Sequence, residues 1–286
     1  MSTLRALRRR IRSVQNTQQI TKAMEMVAAA KLRRAQNRAL AARPYSVKIT
    51  EMLNNLARAA SDINSPLFKA REVKNSALVV VTSDRGLAGA YNSTIIRAAE
   101  QRIRKAPPGS IQLILAGKKA RDYFRRRKVS ILAAHTPLPA EASLEFAKTL
   151  TEDLIARFLS GEVDQVELMY TQFISALRRK IIIERFLPVG SETQEGAATG
   201  GGSTIFEPDA ETIFAELLPR YATAKLFAAM ADALASEHSS RMIAMGAARK
   251  NAGELIDILV LRRNRLRQAV ITKELLDIVG GAEALK

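Results

Sequence analysis

The sequence predicts an α/β protein with long helices, in which an antiparallel two-stranded coiled coil of the N- and C-terminal helices is attached to a central open-sheet domain. Three observations support this fold class. Both ends of the chain carry apolar residues at heptad spacing. The middle alternates short apolar runs with amphipathic segments. Aromatic residues make up only 5% of the chain, which suits alanine- and leucine-rich helices.

The composition limits the classes of function that this protein can have. The 286 residues carry a net charge of +17. Residues 1–58 contain thirteen Lys or Arg but only two Asp or Glu, so this segment needs an acidic partner or solvent around it. Nucleic acid, an anionic membrane and an acidic protein surface all remain candidates. The absence of cysteine excludes disulfides and thiol catalysis, and no apolar run approaches the ~18 residues of a membrane span.

Residues 1–58 are predicted to form the N-terminal coiled-coil helix, whose first seam positions step by three and four: Leu4, Leu7, Ile11 and Val14. The same steps then reach Gln18 and Thr21, where the seam turns polar. We therefore expect a neighbouring stripe to take over, made of Ile20, Met24 and Val27. Pro44 removes a backbone hydrogen bond, and we expect it to kink or break the helix near Ala42.

Residues 59–190 are predicted to form a central α/β domain with an open, Rossmann-like sheet. Five apolar runs are typical of strands: ALVVVT, IQLILAG, VSILAA, QVELMYTQF and RKIIIERFLPV. Three segments between them are typical of helices: NSTIIRAAEQRIRK, KKARDYFRRRK and SLEFAKTLTEDLIARFL. Asn92 is expected to cap the first of these helices, and His135 is expected in a loop. Residues 191–208, rich in Gly, Ser and Thr, are predicted to be a flexible linker.

Residues 209–286 are predicted to supply the C-terminal coiled-coil helix. Residues 209–218 suggest a short helix, and Pro219 suits the first turn of a much longer one that lasts until the Gly280-Gly281 pair. Its seam repeats steps of four and three at Phe227, Ala231, Leu234, His238, Arg241, Met245, Ala248, Ala252, Leu255, Leu259, Arg262, Leu266, Ala269, Lys273 and Leu276.

Helix length decides the arrangement of these segments. A helix over residues 221–279 would be about 88 Å long, and the N-terminal helix about 85 Å. A compact globule of this chain length would be roughly 50 Å across, so both helices must project and can run side by side. The small residues of SSRMIAMGAARKN, residues 239–251, let two backbones approach closely but bury little apolar surface. We therefore expect such a thin rod to need a sheath of other subunits.

The turn TSDRGLAGAYN, residues 82–92, lies between a predicted strand and a predicted helix, where phosphate-binding loops occur. It matches neither the dinucleotide fingerprint nor the P-loop pattern, which favours a structural turn. An α/β nucleotide-binding enzyme centred on Gly86 and Gly89 remains one alternative. A basic coiled-coil nucleic-acid-binding protein is another, although Tyr45 is the only aromatic residue in the first 58. The sequence contains no recognisable catalytic or metal-binding pattern, and no cofactor is expected.

Three stretches together resemble the gamma subunit of the bacterial-type rotary F-type ATP synthase. They are RIRSVQNTQQITKAMEMVAAAKLRRAQ at residues 10–36, SDRGLAGAYN at residues 83–92, and ASEHSSRMIAMGAARKNAGELI at residues 235–256, continuing through NRLRQAVITKELLDIVGGAEAL. The likeness covers essentially the whole chain. It implies a non-catalytic central rotor shaft that mechanically couples proton-driven rotation of the c-ring to ATP synthesis or hydrolysis on the beta subunits.

The resemblance also implies partner-binding residues. Arg267 and Gln268, in NRLRQA, would hydrogen-bond loops of the beta subunits. An acidic lever segment of the beta subunit would face four residues of the first stretch: Lys22, Met24, Arg33 and Arg34. A hydrophobic sleeve at the top of the ring would hold the apolar tail: Leu275, Leu276, Ile278, Val279 and Leu285. Arg263 stands where the family usually has an aromatic residue.

The implied partners are the alpha3-beta3 hexamer, the epsilon subunit and the c-ring, with one copy of this chain per complex. The resemblance implies no nucleic-acid partner, and membrane contact only through the c-ring. It places the chain as a peripheral protein at the cytoplasmic face of the bacterial cell membrane.

Overall fold

The structure is a computed structural model that describes residues 4–59, 65–68, 71–189 and 210–283. The chain divides into two compact units. Unit 1 combines residues 1–28 with residues 241–286, and unit 2 comprises residues 29–240. The predicted linker, residues 191–208, lies outside the described residues.

Within the described ranges, strands and short helices alternate between two long terminal helices. The helices are α1 (Leu4–Ala59), α2 (Tyr91–Lys105), α3 (Lys118–Phe124), α4 (Leu144–Leu159) and α5 (Ala210–Glu283). The strands are β1 (Ser76–Val81), β2 (Ile111–Ala116), β3 (Ile131–His135), β4 (Gln165–Phe173) and β5 (Arg179–Leu187). The predicted fold class is confirmed, and the predicted strands and helices of the central region are all present.

The five strands form one mixed sheet in unit 2, in the order β3-β2-β1-β4-β5. The strands β1 to β4 pair in parallel, and β5 is antiparallel to β4. All six residues of β1 are buried, as is typical of a central parallel strand covered on both faces. His135 is the last residue of the edge strand β3, so its expected place in a loop is wrong.

Two apolar cores cover the two faces of the sheet. On one face, Leu78 and Val80 of β1 pack with α2 and α3. On the other face, Ala77, Val79 and Val81 pack with α4 and with the parts of α1 and α5 that belong to unit 2. One strand serves both cores because successive side chains of a strand point to opposite faces.

The helix α1 continues through Pro44, so it does not break near Ala42, and the kink that was the other expected outcome stays a prediction. An internal proline costs roughly 3 kcal/mol because it removes one backbone hydrogen bond and crowds the preceding turn. The following turns offset this cost, since Ile49 and Leu53 are buried in the core of unit 2. Tertiary packing thus maintains a helix that local propensity would interrupt.

The helix α5 likewise continues through Pro219, so the short helix predicted over residues 209–218 is the first part of one helix of 74 residues. Leu218 immediately before the proline and Ala222 after it are both buried in the same core. The proline therefore lies in a stretch that is held on both sides by apolar contacts.

In unit 1, α1 and α5 run antiparallel. Leu7 and Ile11 near the start of α1 pack against Leu259. Farther along α1, Glu25 accepts a hydrogen bond from Nε of Arg249 at 2.9 Å. Residue numbers therefore rise along one helix as they fall along the other, as the coiled-coil prediction requires.

Two glycines of α5 let polar side chains of α1 approach closely in unit 1. A Cβ at Gly246 would lie 3.1 Å from Oε1 of Glu25, and a Cβ at Gly253 would lie 3.0 Å from Nε2 of Gln18. Any larger residue would push these side chains away. The two glycines thus make room for polar side chains of α1 in the seam, at positions where an apolar seam would have large side chains.

The predicted change of seam in α1 is wrong. Ile20 and Val27 are 61% and 56% exposed, whereas Thr21 and Ala28 on the original heptad positions are buried. Thr21 tolerates burial because its hydroxyl donates a hydrogen bond to the Thr17 carbonyl at 3.0 Å. The original three-and-four spacing therefore continues through its polar positions.

The predicted seam of α5 is wrong at five positions beyond Ala252, all of them exposed: Leu255, Arg262, Ala269, Lys273 and Leu276. Leu255 and Arg262 are exposed, whereas their neighbours Ile256 and Arg263 are half-buried. A straight α-helix drifts by about 20° per heptad relative to a strict seven-residue repeat. Such drift moves the contact stripe onto the next residue.

We expect Gly117→Ala to destabilise the protein. Gly117 has a φ of +109°, and a Cβ there would lie 2.6 Å from the carbonyl oxygen of Thr82. Urea unfolding followed by circular dichroism should show a loss of roughly 1–3 kcal/mol in the free energy of unfolding. The control is Gly109→Ala, which has a φ of +81° and open space around the added Cβ. An equal loss in both variants would contradict the role assigned to the Thr82 contact.

Candidate partner-binding surfaces

The serine-rich turns of α5 bind the carboxyl edge of the sheet in unit 2. All of residues 235–240 are buried. Ser236 donates a hydrogen bond to the Thr171 carbonyl at 3.0 Å, and Ser239 donates to the Ala176 carbonyl at 2.5 Å. These small side chains therefore do more than let two helices approach, because they anchor α5 to β4 and to the turn after it.

The same part of α5 covers the place where an open α/β sheet usually binds ligands. That place lies beyond the carboxyl ends of the strands, where the chain changes its direction of crossing, here between β1 and β4. Tyr91, at the start of α2, donates a hydrogen bond from its hydroxyl to the Ala233 carbonyl at 3.1 Å. Ser236 bonds the end of β4 beside it. A nucleotide bound in this crevice would have to displace a buried helix.

The turn between β1 and α2 is held by polar groups of the protein itself. Asp84 accepts hydrogen bonds from the backbone amides of Lys118 at 2.7 Å and Leu138 at 2.6 Å. Asn92, expected to cap α2, lies in its first turn, and its side-chain oxygen accepts a hydrogen bond from the Ser83 amide at 3.0 Å. The prediction of its role is wrong because the turn, rather than the helix end, uses the side chain. Polar groups that a ligand would need are already engaged.

The glycines of this turn shape its backbone. Gly89 has a φ of +55°, which glycine adopts at no steric cost. Leu87 has a φ of +61° and is 62% exposed. Gly86 has room around it, since only the Lys119 side chain would come within 3.9 Å of an added Cβ. The geometry agrees with the structural interpretation of this turn.

Arg267 and Gln268 lie in unit 1 on an open part of α5. Both are exposed, and they directly follow Leu266, which packs on the cluster around Leu259. Arg263 is half-buried, and its Nη2 lies 3.2 Å from Oδ1 of Asn264. The Arg267 and Gln268 side chains can therefore reach a partner without breaking a packed contact.

The four predicted residues of α1 differ in their surroundings. Lys22 is exposed and Met24 is half-buried in unit 1. Arg33 is exposed in unit 2, where Arg34 also lies and forms an ion pair with Glu141, Nη1 to Oε1, at 3.5 Å. Arg34 therefore has an acidic neighbour within its own chain, and Lys22 and Arg33 present their charge to solvent.

The last described turns of α5 form an exposed apolar tail. Every residue from 267 to 280 is exposed. The predicted sleeve residues in this stretch are 58% to 68% exposed: Leu275, Leu276, Ile278 and Val279. The helix passes the Gly280-Gly281 pair and reaches Glu283, so its expected end there is wrong, and Leu285 lies outside the described residues. Apolar side chains exposed over successive turns are typical of surfaces that bind a partner.

No helix in the described ranges carries an apolar stretch long enough to cross a membrane.

Comparison with known proteins assigns the family. A family model described as ATP synthase matches residues 3–285. The ATP synthase gamma chain of Moorella thermoacetica is 46% identical over 286 residues, with all of both chains covered. The chain belongs to the ATP synthase gamma-chain family. A gamma chain of Anaeromyxobacter sp. (strain K) is 45% identical over 291 residues, again with both chains fully covered.

Family membership makes this chain a non-catalytic stalk subunit of ATP synthase. The alternatives of a nucleotide-binding enzyme and of a nucleic-acid-binding protein are not favoured.

Solved structures share the fold. A chain of the Euglena gracilis mitochondrial ATP synthase, in a cryo-EM structure of OSCP, F1 and c-ring in rotational state 3, is similar with a TM-score of 0.70 and 20% identity. That similarity covers 99% of this chain and 94% of the Euglena chain. A chain from the central stalk and c-ring of the Tetrahymena thermophila mitochondrial ATP synthase has a TM-score of 0.63 and 24% identity, covering 80% and 99%. At these identities the likeness concerns the fold alone.

The contacts through which α5 binds the sheet do not follow from its heptad pattern. The available signal was the stretch AAMADALASEHSS, residues 228–240, which carries small residues on every side of the helix. A helix without a large polar face is typically buried all around. The heptad pattern alone concealed this, because it assigns only one stripe of the helix to a contact.

We expect Ser236→Leu to destabilise unit 2 and to loosen α5 from the sheet. Ser236 is fully buried, so a larger side chain overpacks the site and loses the bond to Thr171, at a cost of about 1–3 kcal/mol. Urea unfolding should report the loss, and hydrogen exchange should show faster exchange in β4. The matched control Ala247→Leu adds comparable bulk at an exposed position of the same helix and should be nearly neutral. Similar losses in both variants would argue against the anchor.

Proposed function

We propose that this chain is the central rotor shaft of a rotary ATP synthase, which couples c-ring rotation mechanically to ATP synthesis or hydrolysis on the beta subunits. The proposal rests above all on the exposed tail of α5. Fourteen consecutive helical residues, 267–280, are exposed, and six large apolar side chains lie among them. An isolated helix of this length is only marginally stable in water. Such a segment is suited to a site inside a ring of other subunits.

The proposed partners follow from family membership and from the surfaces described above. The shaft segments would lie within an alpha3-beta3 hexamer, with one copy of this chain per complex. Unit 2 would rest on the epsilon subunit and on the c-ring, through which it meets the membrane. The chain would be a peripheral protein at the cytoplasmic face of a bacterial cell membrane.

A rotation assay tests the proposal directly. The chain has no cysteine, so Gln101→Cys on the exposed surface of α2 gives a single attachment point for a bead. The complex with alpha and beta subunits is fixed to glass through the beta subunits and supplied with ATP. We expect the bead to turn in one direction and to pause three times per turn. A bead that stays still while the complex hydrolyses ATP would refute the shaft role.

We expect Arg267→Ala combined with Gln268→Ala to weaken coupling and leave the fold intact. Both residues are exposed, so their removal leaves no buried group unpaired. A charged hydrogen bond contributes about 1.5–3 kcal/mol, and its loss should slow ATP turnover of the assembled complex roughly tenfold or more. Arg262→Ala, an exposed arginine on another side of the helix, is the matched control. Unchanged ATP turnover in the double variant would contradict the proposed binding of the beta subunits by these two residues.

We expect Leu276→Ser combined with Val279→Ser to weaken retention of the shaft in the hexamer. These side chains are 65% and 62% exposed, so the isolated chain should unfold at the same urea concentration as the parent chain. In the complex, each loses the apolar contact expected from a sleeve. Gel filtration at falling protein concentration should show the variant chain dissociating first. If both chains are retained equally, the tail does not sit in an apolar sleeve.

A further inference from the structure

A second basic surface lies at the amino edge of the sheet, away from the N-terminal helix that dominates the charge of the sequence. The helix α2 ends at Lys105 shortly before β2 begins at Ile111, and α3 ends at Phe124 shortly before β3 begins at Ile131. The carboxyl ends of both helices therefore meet the edge where the parallel strands start. Six exposed cations cluster here, which we call the amino-edge patch: Arg104, Lys105, Arg125, Arg126, Arg127 and Lys128.

Hydrogen bonds join the two helix ends into one surface. Tyr123 of α3 donates a hydrogen bond from its hydroxyl to Oε1 of Glu100 on α2 at 2.8 Å. Arg127 donates to the same hydroxyl at 3.0 Å, and its guanidinium lies 4.8 Å from the Tyr123 ring centroid. Nη2 of Arg104 lies 3.7 Å from Oε2 of Glu100. One carboxylate thus organises cations from both helices and neutralises only a fraction of their charge.

Two other carboxylates near this edge have partners of their own. Asp122 pairs with Arg121 at 3.0 Å, and residues 91–128 contain eleven basic residues but only two acidic ones. Asp164, just before β4, accepts hydrogen bonds from the backbone amides of Asn75 and Lys74, which lower the pKa of that carboxyl. The amino-edge patch therefore keeps a large surplus of positive charge.

We propose that the amino-edge patch binds the anionic phospholipid headgroups of the bilayer beneath unit 2. This inference rests on the proposed function, which places unit 2 beside the c-ring and the bilayer. Within unit 2, the turns of α5 that lead in sequence toward the proposed shaft bind the carboxyl edge. The amino edge is the opposite edge of the sheet, away from those turns, and under the proposed function it is the edge available to the bilayer.

The chemistry of the patch fits a lipid surface better than a partner that binds through a fixed geometry, such as a nucleic acid. Its cations are exposed and lie in two short runs of the sequence, and Tyr123, the aromatic ring among them, is already bonded to Glu100 and Arg127. Nucleic-acid binding would favour free aromatic rings for stacking. Polybasic segments are attracted to anionic bilayers without a fixed geometry, and the attraction fades within a Debye length of about 8 Å. A contact of this kind can hold a foot near the bilayer and still let it rotate over fluid lipid.

This inference changes one expectation from the sequence, namely that the chain meets the membrane only through the c-ring. The patch adds a direct electrostatic contact with lipid. In the sequence alone, the run RRRK at residues 125–128 is typical of a solvated helix face. The fold places Arg104 and Lys105 beside this run, and the six cations together form one basic surface.

Vesicle binding by the assembled complex of alpha, beta, epsilon and this chain tests the proposal. In that complex the N-terminal helix is shielded under the proposed function. Vesicles of phosphatidylcholine alone are compared with vesicles in which about a quarter of the lipid is phosphatidylglycerol. The test variant replaces the four residues of the run by glutamine: Arg125→Gln, Arg126→Gln, Arg127→Gln and Lys128→Gln. The matched control removes four exposed cations from other parts of the same layer: Arg85→Gln, Arg97→Gln, Lys118→Gln and Lys119→Gln.

We expect the parent complex and the control to bind the anionic vesicles, to ignore phosphatidylcholine and to release at high salt. The test variant should bind at least about tenfold more weakly. Equal binding by both variants overturns the proposal, as does binding to phosphatidylcholine alone. If the test variant still binds the anionic vesicles but no longer binds a purified, lipid-free c-ring, the patch binds an acidic protein surface and the lipid proposal is wrong. Bead rotation of the same complexes distinguishes the proposed shaft function from the proposed lipid binding. The test variant should still rotate. A parent complex that does not rotate would refute the shaft function but not the lipid binding by the patch.

Discussion

The buried contact between the serine-rich turns of α5 and the carboxyl edge of the sheet is the constraint on which unit 2 depends. Ser236 and Ser239 give hydroxyl protons to carbonyls of β4 and of the turn after it. Tyr91 gives a third to the helix backbone itself. These bonds fix α5 both along its axis and around it, because each joins a defined atom of the helix to a defined atom of the sheet layer. An open α/β sheet that elsewhere would hold a ligand here holds a helix.

Unit 1 shows the opposite balance between burial and exposure. Its seam contains few large apolar contacts, such as Leu7 and Ile11 against Leu259, and it admits polar groups where Gly246 and Gly253 make room. At roughly 25 cal/mol per Å² of apolar surface, such a thin seam stabilises a helix pair weakly. The apolar side chains that remain exposed, including Ile20 and Val27, would be available to surrounding subunits under the proposed function. A rod that gains stability from its partners can turn among them without losing an extensive core of its own.

Positive charge is concentrated in two places with different surroundings. The N-terminal helix carries its charge along one long element, whereas the amino-edge patch gathers it from the end of α2 and from the run after α3, which are distant in sequence. A helix among acidic loops requires specific spacing of its cations, and a surface above fluid lipid requires only their density. The distribution of charge therefore matters more for this protein than its total.

The sequence by itself determined the two long helices, the order of strands and helices between them, the basic N-terminus and the family. These features follow from local periodicity and from motifs that lie within continuous stretches. Only the tertiary structure decided that helices continue through Pro44 and Pro219, that Thr21 rather than Ile20 is buried, and that β1 lies between β2 and β4. It also decided that Arg104 lies beside the basic run after α3. The reason is physical: propensity acts over a few residues, whereas burial and electrostatic attraction depend on groups that the fold brings together from distant parts of the chain.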